Sequence, residues 1–334
     1  MINAAVSGLG RWGQILVNAV QGKSDKIRII VGRTQTLSDT AKAFAEGHGF
    51  PITASYEELL QRSDIDAVIL ATPHSTHAKQ VQQAAAEGKH VFCEKPFTMN
   101  KADAETSLKA CRDAGVILAV AHNRRFFPAY QKLQELVRLG VLGDILHIEG
   151  NHSGFGGLNR KKGVGRMDQG ESPLGSMAGK GLHAIDAMIG VAGPILQVNA
   201  TSTGKVLHTS DDTTAMTLKF RDGVSGYLST LDATAFMWRL AVFGSKGWAE
   251  MRSPHRLVTR TTEDGTGESD TSSEDGEVVR NFNVVDTPFL ELEAFADAVS
   301  GGAPYPMSDE EIIATPALWE AAIKSVSLGG LVDV

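Results

Sequence analysis

Apolar runs of strand length recur through the first part of the chain, at Ile2–Val6, Ile27–Val31, Ala67–Ala71, His90–Cys93 and Val116–Ala121, with a weaker one around Ile52. Stretches with helical spacing separate them. One runs from Ser75, an N-cap residue type, towards Glu87, with Gly88 where a C′ glycine belongs. Another follows Asn100 through ADAETSLKACRDA and stops at Gly115. Continuous apolar runs alternating with helices predict a parallel sheet, because parallel strands need crossovers and are covered on both faces. After Asn123 the pattern changes. A helix is expected from about Ala129 to Arg138, and then strands follow one another. TTAMTLKF and VSGYLSTL flank Arg221-Asp222-Gly223, and RLAVFG and GWAEMR flank Ser245-Lys246. Turns this tight make antiparallel neighbours. Helical patterns at Pro288–Val299 and Asp309–Val326 close the chain. The reading is an α/β protein of two domains. Residues 1–123 form a doubly wound parallel sheet, and residues 124–334 carry a mostly antiparallel one.

A length of 334 residues suits two domains. The formal charge of −7 is localised: between Thr261 and Val279 stand Glu263, Asp264, Glu268, Asp270, Glu274, Asp275 and Glu277 with no base among them. That stretch reads as a solvated loop or hairpin tip, and the rest of the chain is neutral. No basic stripe is left for a phosphate backbone, which argues against a nucleic-acid partner. Cys93 and Cys111 are the only cysteines and form no CxxC pair, as expected in a reducing compartment. The chain opens on the strand-like INAAVS, and no apolar run approaches the ~20 residues of a bilayer span. The expectation is a cytoplasmic protein without a membrane partner.

Candidate chemistry gathers where predicted strands end. Ile2–Val6 runs into GLGRWG, in which Gly8, Gly10 and Gly13 match GxGxxG between a strand and a helix. The first glycine permits the tight turn, the second lets backbone approach a pyrophosphate, and the third allows close helix–strand packing. The helix N-terminus adds unpaired amide hydrogens and the positive end of its dipole. About twenty residues beyond such a loop an acid usually holds the ribose of NAD. Here the position reads Gly32-Arg33-Thr34, and a guanidinium with a hydroxyl suits a 2′-phosphate. NADP is therefore preferred over NAD, the alternative being that Arg33 stacks on adenine in either cofactor. Thr72-Pro73-His74, Glu94-Lys95 and His122-Asn123 also fall at carboxyl ends of strands, the edge along which open parallel sheets bind ligands.

The chain resembles the glucose–fructose oxidoreductase / inositol dehydrogenase (Gfo/Idh/MocA) family in GLGRWG, AVILATPHSTHAKQ, AAAEGKHVFCEKPF, HNRRFFP, GLHAID and the closing YPMSDEEIIATPALWEAAIKSV. The resemblance implies a Rossmann domain, a second α/β domain whose sheet packs against another subunit in a homodimer or homotetramer, and hydride transfer between a nicotinamide and a small hydroxylated substrate. It implies that Lys95 of EKP stands near the nicotinamide and the reacting hydroxyl. A lysine takes a proton there only when desolvation and a neighbouring positive ring lower its pKa. Pro96 restricts the backbone of Lys95 and helps aim it. The histidine of GxHxxD is His183, with Asp186 on the same helical face steadying the local structure. Catalysis is thus assigned to Lys95 and His183. Cofactor contacts are expected from Gly8, Leu9, Gly10, Arg11, Trp12, Gly13, Arg33, Thr34, Thr72, Pro73, His74, His77, Glu94, Lys95, Asn123 and Arg125.

One departure stands out. Many members carry an aspartate four residues before the histidine, a carboxylate that orients the lysine or contacts the substrate, and here that position is Gly179, followed by Lys180. The segment from Asn151 to Gly181 is rich in bases: Arg160, Lys161, Lys162, Arg166 and Lys180 against Asp168 and Glu171. It reads either as a pocket wall for an anionic substrate or as a solvated loop. Substrate contacts are expected from Lys95, Asn151, Arg166, Lys180 and His183. His74, His77, His122 and His152 lack convincing zinc spacing, so no metal is expected. The reading is an NAD(P)-dependent oxidoreductase acting on CH–OH groups of a polyhydroxylated compound, a carboxylated one included. Its alternatives are an NAD-dependent sugar or inositol dehydrogenase and a non-catalytic dinucleotide-binding regulator.

Overall fold

The computed structural model describes residues 1–159, 170–207, 211–262 and 276–334. Arg160, Lys161, Lys162, Arg166, Asp168 and every acid of the charged stretch except Glu277 lie outside the described residues. Two compact units emerge: Met1–Asn123 with Asp286–Pro316, and Arg124–Val285 with Ala317–Val334. A cut at one point of the chain therefore does not separate them.

In the first unit the strands are β1 (Ile2–Ser7), β2 (Ile27–Arg33), β3 (Ile52–Thr53), β4 (Ala67–Leu70), β5 (His90–Glu94) and β6 (Leu118–Ala121). They form one parallel sheet in the order β3-β2-β1-β4-β5-β6. Between them run α1 (Arg11–Val20), α2 (Asp39–Gly47), α3 (Tyr56–Leu60), α4 (His77–Ala86) and α5 (Lys101–Asp113). Burial on both faces explains the unbroken apolar strands. One face sets Ala5, Val31, Val68, Leu70, Val91, Cys93 and Val120 against Leu59, Val81, Ala84 and Leu108. The opposite side includes Phe92, whose ring centroid lies 5.7 Å from that of Phe295 on the helix Thr287–Val299. That helix is also joined by Lys26, which pairs with Asp297 at 2.8 Å, and Tyr305 donates from its hydroxyl to the Val120 carbonyl at 3.0 Å.

Local signals were decisive at some ends and overridden at others. Asn100 caps α5, accepting from Asp103 N at 2.8 Å, and Gly88 and Gly115 take the left-handed conformation after their helices. Ser75 is not the cap expected of it. Residues His74–Thr76 wind as a 3-10 turn, closed by the Thr76 N–H donating to the Pro73 carbonyl at 3.0 Å with the Thr76 hydroxyl donating to the same oxygen at 2.7 Å, and α4 starts only at His77. The run expected to begin at Val116 becomes extended at Leu118, because the Val116 N–H still bonds back to Cys111 at the end of α5.

The second unit is built on a nine-stranded sheet of β7 (Ile145–Ser153), β8 (Ile195–Thr203), β9 (Thr213–Phe220), β10 (Ser225–Leu231), β11 (Met237–Gly244), β12 (Gly247–Ser253), β13 (Arg256–Thr261), β14 (Val278–Asn281) and β15 (Val332–Asp333). Its order is β14-β13-β12-β11-β7-β10-β9-β8-β15, and every pairing is antiparallel except β7 with β10. Both anticipated hairpins form, at Arg221-Asp222-Gly223 and Ser245-Lys246. Helices α6 (Pro128–Arg138) and α7 (Leu182–Ala192) pack on one face, where the Tyr130 hydroxyl donates to the Ala187 carbonyl at 3.0 Å. No helix among the described residues is long and apolar enough to cross a membrane.

The connection into β9 is pinned by one carboxylate. Asp212 Oδ2 accepts the backbone N–H groups of Lys205, Val206 and Leu207 at 2.8, 2.5 and 3.0 Å, and Oδ1 accepts from the Thr213 hydroxyl. Burial pushes the Asp212 pKa up, but these donors outweigh it and bring the group down to about 2. Asp212→Ala should destabilise the protein by about 1–3 kcal/mol, since three backbone donors lose their acceptor. With a folded pKa below the unfolded one, the carboxylate's contribution is complete above the ordinary aspartate value and fades as pH falls towards about 2. Urea denaturation across that range should show the difference between wild type and variant shrinking with acid.

Candidate functional site

The turn after β1 is shaped by contacts that only glycine permits. Gly8 has φ of +103°, and a Cβ there would lie 2.4 Å from the Ala71 carbonyl oxygen. A Cβ on Gly13 would lie 1.8 Å from Gly8 O, so α1 packs directly on the turn. Gly10 is different: nothing lies within 4 Å of the position its Cβ would take, and the residue is exposed at the N-cap of α1. Among the described residues no side chain caps this helix end, which leaves its first amides to an anion. Packed glycines on either side of an open one form a cradle suited to a pyrophosphate. Leu9, with 3% exposure, anchors the turn from below rather than lining the cradle.

A second connection ties this turn to the EKP segment. The Trp12 indole N–H donates to Glu94 Oε1, and Glu94 Oε2 accepts the backbone N–H of Lys95 at 3.2 Å. Glu94 is buried, Lys95 half-buried, and the Lys95–Pro96 peptide is cis. One carboxylate therefore sets the lysine's backbone relative to the glycine turn. His77, expected to contact cofactor, is fully buried and has another task. Its Nδ1–H donates to the Pro96 carbonyl at 2.7 Å, and Nε2 faces the Thr72 carbonyl at 3.1 Å. The ring thus braces EKP against the segment after β4. In that segment the Thr72 hydroxyl donates to Gln80 Oε1 at 2.5 Å, and His74 lies 6.0 Å from His77, ring to ring. Glu94 and Gln80 as supports were not legible in sequence spacing, since their partners lie 82 and 8 residues away.

Arg33 and Thr34 sit half-buried at the end of β2, where the Arg33 carbonyl accepts Gly8 N at 2.7 Å. The strand end that carries Arg33 and Thr34 is thereby bonded to the glycine turn. The Thr34 hydroxyl donates to its own loop at Thr36 O, 3.2 Å away. Asn123 is buried beyond β6, with Nδ2 donating to Thr287 Oγ1 at 3.1 Å while Oδ1 has no hydrogen-bond partner among the described residues. The open cradle and this unsatisfied buried oxygen, which a carboxamide N–H could satisfy, both fit a nicotinamide dinucleotide.

In the second unit a single turn of π-helix, Met177–Gly181, leads into α7. Lys180 lies in that turn, and His183 follows in the first turn of α7. Lys180 Nζ donates to Asp232 Oδ1, just past β10, and the Lys180 carbonyl accepts from His152 Nδ1 at 2.9 Å. His152 in turn meets Trp238 edge-on at 4.7 Å and lies 6.1 Å from His183. Asp186 steadies this part of the structure: Arg125 donates to it from Nε and Nη2 at 2.9 and 2.7 Å, both groups buried. Arg125, expected at the cofactor, instead anchors α7 and the turn carrying His183.

Asn151 lies on the opposite sheet face from His152, as strand alternation requires. Its amide donates to Ser229 Oγ and accepts from Ser153 Oγ, both at 2.7 Å, so it serves the sheet and not the face that carries His183. Arg166, the remaining expected substrate contact, lies outside the described residues. Sequence reading missed Asp232 and the packing role of His152; neither stands in a motif, and strand register alone brings them to Lys180. No group of three or more potential metal ligands occurs among the described residues.

The two kinds of glycine predict opposite phenotypes. Gly10→Val should leave the melting temperature within a few degrees of wild type while abolishing measurable dinucleotide binding by fluorescence titration. Gly13→Ala should lower stability itself, because the added methyl meets backbone and not a side chain that can move.

A family model described as an oxidoreductase family with an NAD-binding Rossmann fold matches residues 2–122, and the GFO/IDH/MocA C-terminal domain matches residues 130–250. Inositol 2-dehydrogenase of Rhizobium meliloti is 27% identical across 96% of this chain and 95% of its own length. The 2,7-anhydro-N-acetylneuraminate hydratase of Escherichia coli is 31% identical over 58% of this chain, and an uncharacterized oxidoreductase of Streptococcus pneumoniae 34% over 46%. Those two matches span about half or less of the relatives concerned, 53% and 41%. A crystal structure from Desulfitobacterium hafniense, provisionally assigned as an NADPH-dependent oxidoreductase, superposes with a TM-score of 0.88 at 26% identity, covering 99% of this chain and 97% of that one. Matched by the family's models in both parts, and carrying the glycine turn and EKP lysine in their required settings, the chain belongs to the Gfo/Idh/MocA oxidoreductase family.

Proposed function

We propose that this protein transfers hydride between a nicotinamide dinucleotide, NADP in preference to NAD, and a hydroxyl/carbonyl pair of a small polyhydroxylated compound. The observation that carries the reading is the Trp12–Glu94–Lys95 connection, which fixes a half-buried lysine to the turn that cradles the dinucleotide.

When bound, the nicotinamide ring supplies the hydride acceptor or donor. Lys95 takes the hydroxyl proton when the substrate is oxidised and returns it on reduction, so charge does not build on oxygen. His77 and Glu94 hold the lysine's backbone in place for that transfer. His183 hydrogen-bonds the reacting oxygen, and Arg125 with Asp186 anchors the helix that carries it. Arg33 and Thr34 receive the 2′-phosphate. Lys180 is paired with Asp232, which favours an uncharged substrate over a carboxylated one. The relative named for inositol, aligned along nearly its whole length, supports a polyol or sugar. Assembly into a homodimer or homotetramer through the second sheet belongs to the same reading, supported by half-exposed Tyr227 and Met237 on the face opposite α7. Gly179, in place of the usual aspartate, favours a second reading as a dinucleotide-binding regulator.

Lys95→Ala separates the two readings. Reduction of NADP by a panel of sugars and polyols should fall roughly 10²–10⁴-fold while NADPH still binds, as expected for loss of a general acid–base group. Unchanged turnover would remove Lys95 from the mechanism, and no turnover in wild type would favour the regulator. Trp12 emission reports cofactor preference. NADPH should bind more tightly than NADH, and Arg33→Ala should erase the difference; tighter NADH binding would reduce Arg33 to an adenine platform.

A further inference from the structure

The aspartate missing at Gly179 is not replaced by a neighbour in sequence, but a carboxylate does reach the same turn from the sheet. Asp232 follows β10 and is fully buried, its N–H donating to Asp212 O and its carbonyl accepting from Gly157 N, both at 2.8 Å. Its Oδ1 accepts from Lys180 Nζ. The side chain of Lys180 keeps 17% of its exposure against 1% for Asp232, so the ammonium is the end nearer solvent. Lys180 is also held at its backbone by His152, and its Cε passes 3.4 Å from where a Gly154 Cβ would stand. Lys180 is thus held at both its carbonyl and its tip. Ordering so flexible a chain costs rotamer entropy, and a buried carboxylate needs a compensating cation. Position 179 itself is open space, so sterics do not explain the absent side chain.

We propose that the Lys180–Asp232 pair takes over the substrate-contacting role of the aspartate absent at 179. Lys180 donates to a hydroxyl oxygen of an uncharged sugar or polyol, and Asp232 is the positioning and specificity-determining residue beneath it. An ammonium has three N–H donors, and the pair directs one of them to Asp232. Asp232 also cancels the lysine's charge, so the turn beside His183 presents a neutral donor that selects hydroxyl over carboxylate. Removing the negative partner would convert the same lysine into an anion site. This inference rests on the reading of His183 as a substrate contact.

The test measures binding, independently of turnover. Saturation-transfer NMR on the NADPH-loaded protein would compare D-glucose with D-glucuronate in wild type, Asp232→Asn and the double variant Lys180→Met/Asp232→Asn. Wild type should prefer glucose. Asp232→Asn should move the glucose-to-glucuronate ratio at least tenfold towards glucuronate with NADPH affinity unchanged. The double variant, which leaves no buried charge and keeps the test open should the single one fail to fold, should lose glucose binding without gaining glucuronate. A wild type that prefers glucuronate, one that binds neither sugar, or an Asp232→Asn variant with an unchanged ratio would overturn the proposal. Selectivity as expected with no hydride transfer to any sugar would uphold the pair and remove the oxidoreductase reading instead.

Discussion

Parallel pairing is the constraint from which the dinucleotide half follows. Because β1, β2, β4, β5 and β6 all run one way, the segments leaving them share one edge of the sheet. The glycine turn, Arg33, Thr72–His74, Glu94–Lys95 and Asn123 are brought together by strand direction before any side chain acts. Side chains then make the arrangement rigid. Glu94 joins the turn to the lysine, His77 joins EKP to the segment after β4, and the Arg33 carbonyl bonds Gly8. Each bond is ordinary in strength, about 1 kcal/mol net. Their value lies in removing independent motion from groups that share one edge of the sheet.

In the second sheet the corresponding constraint is alternation. Ile148, Gly150 and His152 of β7 face α7, whereas Glu149 and Asn151 face away. The same rule sends Arg239 outward, where it bridges Glu149 and Glu250, and Trp238 inward against His152. A run of polar residues that looks continuous in sequence is therefore split between two surfaces. Asn151 belongs with the outward set and His152 with His183. Small residues make the inward packing possible: a Cβ on Gly150 would come within about 3 Å of Leu228 and Met188.

The segment Met177–Gly181 shows how a local departure from the family pattern is absorbed. With glycine at 179 and 181 the turn winds as π-helix, and Lys180 is carried over Asp232. A wider turn of this kind often marks a functional site, because it re-aims one side chain at small cost to the helix. Here it aims a lysine.

Much of this architecture was legible in the residues alone. Apolar periodicity gave away the parallel sheet and the hairpins, since burial on two faces or on one imposes a different pattern. GLGRWG and EKP announced the dinucleotide turn and its lysine, because close backbone approach admits only glycine at two positions. Those are local requirements, and local requirements leave local marks. What tertiary structure decided is everything that depends on partners far along the chain: that Thr287–Val299 packs with the first unit, that Arg125 belongs to Asp186, that His77 is a brace, and that Asp232 answers Lys180. A carboxylate carries no sign of its partner in its neighbours' identities. Strand register and helix packing choose the partner, and they exist only once the chain has folded.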